Sequence, residues 1–258
     1  NITETGSNVL DPGAHIVYLG NRGFRPAFSL PEDIGLQAWL PDVNVSLELF
    51  HNSIENYIYQ SRLYDNMGNP VVIVPGNATY RYQQSAARLF GGEASVNLHP
   101  RGIPWLAMDN SAAYTQGRNR NAEMIRLHGD PARYLPFIPP THIRSGVKAS
   151  AQRPYGIFQK AYARIEADIV ASQPHFYGVD DTETFTAGYT LFNAGAGTDI
   201  INKRGKTVCE VFLQLDNVWN TAYQANMNRL KYFEYYNVSR GGIYNMGRNF
   251  SAKMIVPF

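Results

Sequence analysis

Residues 161–169 read Ala-Tyr-Ala-Arg-Ile-Glu-Ala-Asp-Ile, and two kinds of side chain alternate through the whole stretch. Every odd-numbered residue is Ala or Ile, whereas the even-numbered ones are Tyr162, Arg164, Glu166 and Asp168. Because side chains of a strand point alternately to its two faces, the stretch is predicted to be a β-strand with one apolar face. A shift of one residue would exchange the faces, so the pattern fixes which face meets an apolar environment.

The same alternation recurs along the chain in segments of about ten residues, the length of a tilted membrane strand. Clear examples occupy residues 43–49, 93–98, 209–216 and 249–258. Weaker examples occupy residues 33–41, 105–117, 141–151 and 185–200. Together they predict about nine strands with no helix long enough to separate them, and hence an antiparallel sheet.

The composition excludes several classes of protein. Charged residues make up 17% of the 258 residues and apolar residues 44%, without the roughly 20 consecutive apolar residues that a membrane helix requires. If a membrane is involved, strands must therefore cross it. A formal net charge of +2 without runs of Lys or Arg argues against a nucleic-acid surface. The single Cys209 excludes an internal disulfide and a Cys-based zinc site.

The predicted connections alternate between short and long in strict order. Short turns fall near residues 41–43, 99–104, 152–155 and 201–206. Long loops fall near residues 60–83, 118–140, 171–184 and 217–246. Outer-membrane β-barrels have this asymmetry, with short periplasmic turns and long extracellular loops. The sequence thus predicts the C-terminal portion of an antiparallel transmembrane β-barrel, multi-pass in the outer membrane of a Gram-negative bacterium and ending in the periplasm.

Aromatic and charged residues support this topology. Four aromatic residues are predicted near the inner membrane interface: Trp39, Trp105, Tyr155 and Phe258. Five are predicted near the outer interface: Tyr57, Tyr59, Tyr114, Tyr189 and Trp219. The charged residues predicted to face a wet or plugged lumen are Arg144, Lys148, Arg164, Glu166, Asp168, Glu210 and Lys253. Taken singly, each aromatic residue also fits the core of a soluble β-sandwich.

Several short sequence motifs resemble those of TonB-dependent receptors of the Bacteroidota type. The closing stretch Gly-Ile-Tyr-Asn-Met-Gly-Arg-Asn-Phe at 242–250, running on to Pro257-Phe258, is similar to the last strand of that family. Further matching motifs are Asn-Tyr-Ile-Tyr at 56–59, Gly-Gly-Glu-Ala at 91–94, Leu-Pro-Phe-Ile-Pro-Pro at 135–140, Leu-Asp-Asn-Val-Trp-Asn at 215–220 and Ala-Tyr-Gln at 222–224. They occur in family order over roughly residues 43–258, and the similarity is weaker before residue 43.

The resemblance implies a barrel of about 22 strands filled by an N-terminal plug. It implies active import of a scarce nutrient of the ferric siderophore, haem or cobalamin type, driven by the TonB–ExbB–ExbD complex through a box ahead of the plug. Residues 1–258 are accordingly expected to be the C-terminal part of the barrel, with plug and TonB box outside this chain. Phe258 matches the terminal aromatic residue that the barrel-assembly machinery recognises, and it also fits a lipid-facing position.

No enzymatic activity, metal site or cofactor is predicted, because the six histidines show no ligand spacing. Ligand contacts are expected in extracellular loops, since binding residues usually lie on loops above a rigid scaffold. The candidates for an anionic or aromatic ligand are Arg118, Arg120, Arg126, Tyr232, Tyr235 and Tyr236. Contact of these residues with lipopolysaccharide or with neighbouring loops is an alternative. A passive porin and a secreted β-sandwich binding module are the alternative functions.

Overall fold

The computed structural model describes residues 6, 8–12, 15–179, 183–232 and 242–257. Its sheet contains eleven strands. They are β1 Asn8–Asp11, β2 Ile16–Leu19, β3 Phe28–Trp39, β4 Val43–Arg62, β5 Ala78–Leu98, β6 Leu106–Asn119, β7 His142–Ser150, β8 Phe158–Val170, β9 Tyr189–Ile201, β10 Thr207–Asp216 and β11 Asn249–Ile255. The short helix α1 Ala122–His128 and the 3₁₀ turns Asp130–Ala132 and Arg229–Tyr232 lie in the loops.

Strands β3 to β11 form an antiparallel meander in which each strand pairs with the next along the chain. This confirms the predicted class of fold and the nine strands of the prediction. The first of them begins five residues earlier than the predicted 33–41, because β3 pairs with β4 along its whole length, from Phe28 opposite Glu55 to Trp39 opposite Asn44. The predicted alternation of short turns and long loops is also present.

The two faces of the sheet differ in chemistry. Ile34, Ile165 and Met254 belong to the face whose large apolar side chains are exposed, and we call it the outer face. The opposite, inner face carries charged residues, and the register places Arg144 opposite Asp168 and Lys148 opposite Arg164. No second sheet packs on the outer face in the part of the chain that is described, so the arrangement is not that of a β-sandwich.

A β-bulge in β4 corrects the prediction for two aromatic residues. The register shifts between Ile54 and Tyr57, and Asn56 has a positive φ of 57°. The extra residue exchanges the faces of everything that follows it. Tyr57 and Tyr59 therefore face inward, where Tyr59 is buried, and do not belong to an outer aromatic girdle.

The remaining aromatic residues divide between the two ends of the strands. Trp105 and Tyr155 are exposed beside the short turns, as predicted for the inner interface. Trp39 is also exposed beside a short turn, but the register places it opposite Asn44 on the inner face of the sheet, so it does not belong to a lipid-facing girdle. At the other end Tyr114 and Trp219 are exposed, and the Trp219 ring packs edge-on against Phe192 at 4.2 Å. Tyr189 does not join them, because its ring lies 4.5 Å from Tyr223 of the β10–β11 loop. Phe258 lies outside the described residues.

Strands β1 and β2 form a hairpin that the sequence patterns do not predict. β2 runs parallel to the first residues of β5, with Ile16 opposite Ala78. The segment from β2 to β3 then crosses to the far side of β4. Gln84 holds this segment, because its Oε1 accepts from Arg25 N at 2.9 Å and its Nε2 donates to Arg25 O at 2.6 Å.

Candidate functional site

Three long loops meet over the inner face at the loop end of the strands. The carbonyl oxygen of Ile138, in the β6–β7 loop, accepts two side-chain hydrogen bonds. One comes from Gln173 Nε2 of the β8–β9 loop at 2.8 Å, and the other from Asn226 Nδ2 of the β10–β11 loop at 3.2 Å. All three groups are buried, so each satisfies a polar atom that water does not reach. We call these three loops the loop cluster.

Apolar side chains attach the loop cluster to the sheet. Leu135 and Ile138 pack on Ala87 of β5, with Ile54, Tyr57 and Leu89 around them. Gly117 permits this approach, because a Cβ atom there would lie 2.8 Å from Ile138 Cδ1 and 2.9 Å from Leu135 Cβ. The Leu-Pro-Phe-Ile-Pro-Pro motif at 135–140 therefore lies against the inner face of the sheet.

A second buried group joins α1 to the sheet and to the β8–β9 loop. Tyr59, Ala132, Tyr177 and Val179 form its centre, and Met124 and Ile125 of α1 pack against it. The start of α1 is fixed by Asn121, whose side-chain oxygen accepts from the backbone N–H groups of Glu123 and Met124 at 3.1 Å each. Such an N-cap satisfies donors that the first turn of a helix leaves unpaired.

Glu183 is a buried acid within the loop cluster, with 2% of its surface exposed. Its Oε2 accepts from Tyr177 N at 3.1 Å, and its own N–H donates to Tyr177 O at 3.1 Å. Burial raises the pKa of the Glu183 carboxyl, and the backbone N–H groups of Tyr177 and Phe137 and the charges of Arg229 and Lys231 oppose the shift only in part.

The loop cluster borders an open cavity of about 290 Å³. Phenol, hydroxyl, amide and ammonium groups line it, from Tyr189, Tyr223, Tyr244, Thr184, Gln224 and Lys231. Lys231 Nζ donates to Thr186 Oγ1 and lies 4.7 Å from the centre of the Tyr232 ring. Most of these groups donate hydrogen bonds, so the cavity suits an oxygen-rich or anionic ligand. We call it the mouth cavity.

A larger cavity of about 510 Å³ lies on the inner face farther from the loops. Glu166 is shared there by two guanidinium groups, with Arg144 Nε at 3.7 Å and Arg164 Nη2 at 3.6 Å. Lys148 Nζ lies 4.7 Å from the centre of the Tyr162 ring. The charged side chains predicted to face inward thus do so, and three of them, Arg144, Arg164 and Glu166, form ion pairs with one another.

The predicted ligand residues fall on different surfaces. Tyr232 adjoins the mouth cavity, and its hydroxyl accepts from Thr184 N at 3.1 Å. Arg118 ends β6 and its Cζ lies 4.4 Å from the centre of the Tyr134 ring. Arg120 is exposed after β6, and Arg126 is exposed on α1. Tyr235 and Tyr236 lie outside the described residues. No contact joins Arg118 to Tyr232 among the residues that are described.

The sequence patterns missed Glu183, Lys231 and Thr186 as members of a site. Lys231 is 45 residues from Thr186 and 48 from Glu183 along the chain, and all three lie in loops without periodicity, so nothing in the local sequence brings them together. Glu183 lies between Thr182 and Thr184, a polar setting that does not distinguish it from other loop residues.

We expect the loop cluster to loosen as pH rises, because of Glu183. Since its pKa in the folded loop is raised above the ordinary value of 4.5, the folded form binds the proton more tightly than the open form. The stabilisation is fully present at pH below that ordinary value and is lost as pH rises through the raised pKa. Hydrogen exchange at the Tyr177 amide, corrected for its intrinsic rate, should show falling protection in the full-length protein.

The variant E183Q should hold that protection nearly constant with pH, because glutamine does not titrate. E123Q, which changes an exposed residue in the first turn of α1, is the matched control and should behave as the wild type. An E183Q variant that retains the wild-type pH dependence would assign the titration to another group.

No group of three or more His, Cys, Asp or Glu side chains that could hold a metal ion occurs in the described part of the chain. None of its helices there is long and apolar enough to cross a membrane.

Solved structures of three proteins share this fold. The copper transporter OprC is 20% identical, with a TM-score of 0.67 over 90% of this chain and 32% of its own. The FrpB iron transporter from Neisseria meningitidis (F3-3 variant) is 11% identical, with a TM-score of 0.61 over 94% and 33%. The ferric yersiniabactin uptake receptor FyuA from Yersinia pestis is 17% identical, with a TM-score of 0.59 over 91% and 30%.

This chain spans about a third of the length of those three proteins. No curated protein sequence matches it. The model of one protein family, described as TonB dependent receptor-like, beta-barrel, matches residues 1–218. The match includes strands β1 to β10 and the sequence motifs that lie before residue 218. The chain therefore belongs to the TonB-dependent receptor β-barrel family.

Proposed function

We propose that this chain is part of an outer-membrane transporter that imports a scarce nutrient of the ferric siderophore, haem or cobalamin type with energy from TonB. The observation that carries the proposal is the loop cluster, which is hydrogen-bonded over the inner face and leaves the mouth cavity beside it. A scaffold with an apolar outer face and a charged inner face supports it. The TonB–ExbB–ExbD complex would act on the complete receptor, and recognition of Phe258 by the barrel-assembly machinery remains a prediction.

The mouth cavity is the proposed first contact of the ligand. Its phenol groups and the Lys231 ammonium match the oxygen donors of a metal chelate, which carry negative charge. Tyr232 would orient Lys231, since the Lys231 ammonium lies near the Tyr232 ring. The Tyr232 ring is itself held in place, because the Tyr232 hydroxyl accepts a hydrogen bond from Thr184 N. Roles for Arg126, Tyr235 and Tyr236 in the same contact remain predictions.

Uptake by cells tests the transport proposal. We expect a strain without the gene to grow poorly when iron, haem or cobalamin is limiting, and the full-length gene to restore growth. A protonophore should abolish uptake of the growth-supporting compound, because TonB-driven import needs energy. Uptake that persists with the protonophore would favour the passive porin instead.

The variant K231M tests the mouth cavity. A hydrogen bond to a charged group contributes about 1.5–3 kcal/mol, so KM for uptake should rise about tenfold or more while the amount of folded receptor is unchanged. K206M, in the short turn between β9 and β10, removes the same charge at the opposite end of the strands and should leave KM unchanged. Equal KM values for K231M and the wild type would exclude a contact of the ligand with Lys231.

A further inference from the structure

Three arginines lie together on the outer face at the loop end of β5 and β6. Arg88 is directly opposite Arg118 in the register. Arg120 N donates to Ala86 O at 2.9 Å, which extends the same register beyond the strand. Because alternate residues of a strand share a face, Arg88 lies on the same face as the exposed Val96, and Arg118 and Arg120 on the same face as the exposed Tyr114. We call these three residues the outer arginine cluster.

The outer arginine cluster lies just beyond the apolar band of the outer face. On β5 the outward residues from Leu98 back to Phe90 carry no charge, and Arg88 is the next outward residue. On β6 the outward residues from Leu106 to Tyr114 carry none either, and Arg118 lies about 13 Å beyond Tyr114 along the strand. Aromatic residues such as Tyr114 occupy the headgroup level of a membrane, so the arginines lie at or just above the headgroups.

The outer arginine cluster lacks a negative partner among the described residues. Like charges directly opposite in a sheet destabilise it. No ion pair joins Arg88, Arg118 or Arg120 to a carboxylate in the described part of the chain. The Nε of Arg88 is buried without a hydrogen-bond partner there. An anion bound between the guanidinium groups would remove both penalties.

Arg118 is also oriented for such an anion. Its guanidinium stacks on the Tyr134 ring at 4.4 Å, and that ring stacks in turn on His175 at 5.0 Å. Stacking occupies the face of a guanidinium and leaves the N–H groups at its edge free to bind two oxygens of one phosphate.

We propose that the outer arginine cluster binds a phosphate of a lipid headgroup in the outer leaflet. The inference rests on the outer-membrane location in the proposed function, but not on transport or on any substrate. A headgroup is preferred to a dissolved anion because the cluster is on the lipid side of the sheet, at the upper edge of the apolar band. Each arginine near an anionic membrane surface increases the affinity of a protein for that surface roughly fivefold.

Binding of lipid A with two phosphates to the full-length receptor in detergent tests the proposal, with native mass spectrometry as the readout. We expect R88Q/R118Q/R120Q to lose about 100-fold in affinity, from the loss of three charges. R88K/R118K/R120K should keep most of the affinity, because it keeps the charge. R101Q/R153Q/R204Q, which removes three exposed arginines from short turns at the opposite end of the strands, should bind as the wild type.

Two further measurements separate the sources of phosphate. Lipid A without phosphates should bind weakly to every variant, and millimolar inorganic phosphate should not displace the phosphorylated lipid. Displacement by inorganic phosphate would overturn the proposal in favour of a dissolved anion, and unchanged lipid binding by the glutamine variant would overturn it altogether. Energy-dependent uptake, measured in parallel, reports on the proposed function independently of the lipid result.

Discussion

Replacing Ile165 with arginine should destabilise the folded receptor in a lipid bilayer by about 2–4 kcal/mol, the cost of a cation on the lipid face near the midplane. Ile165 is in the middle of the apolar face of β8 and is 63% exposed in the isolated sheet. That exposure is unfavourable in water and favourable in hydrocarbon. The fraction of folded full-length receptor in liposomes, followed by gel mobility across a denaturant series, measures the change.

N97R is the matched control, because it places the same side chain on the inner face, opposite Asp109 of β6. Asn97 lines the cavity of about 510 Å³ and so has a polar environment for arginine. We expect N97R to change stability by less than about 1 kcal/mol. Equal destabilisation by the two variants would mean that the outer face does not meet lipid.

Replacing Leu135 with alanine should detach the β6–β7 loop from the inner face. Leu135 is 1% exposed and packs on Ala87 and Ile138, and removal of a buried leucine side chain costs about 2–5 kcal/mol. Because Ile138 O accepts from both other loops, the loss should spread to Gln173 and Asn226. Hydrogen exchange and limited proteolysis of the full-length receptor should both accelerate in all three loops.

L127A provides the control with the same change of side chain. Leu127 is on α1 in the same loop but is 59% exposed, so its truncation should cost little. Acceleration confined to the β6–β7 loop in L135A would show that the three loops move independently, contrary to the hydrogen bonds at Ile138.

The sheet could be predicted from the sequence because its information is local. A period of two over residues 161–169 defines a strand and both of its faces without knowledge of any partner. The inward direction of Arg144, Lys148 and Glu166 followed from the same rule and is confirmed. The rule gave a wrong face for Tyr57 and Tyr59, because one inserted residue at the β4 bulge leaves no mark in the hydrophobic pattern.

The candidate site could be predicted only as a region. Long loops were expected to carry the ligand contacts, but the loop cluster depends on contacts between distant residues, such as the bond from Asn226 to Ile138 across 88 positions. Loops lack the periodicity from which a face could be read, so the members of the mouth cavity were not distinguishable from other loop residues.

By itself, then, the sequence determined a nine-strand antiparallel sheet with one apolar face, since alternation and loop length are properties of neighbouring residues. The tertiary structure alone decided that the loops fold over the inner face and that Arg88 stands opposite Arg118. Both depend on strand register and on the fit of side chains around Gly117, which are set by how the whole chain packs and not by any one segment.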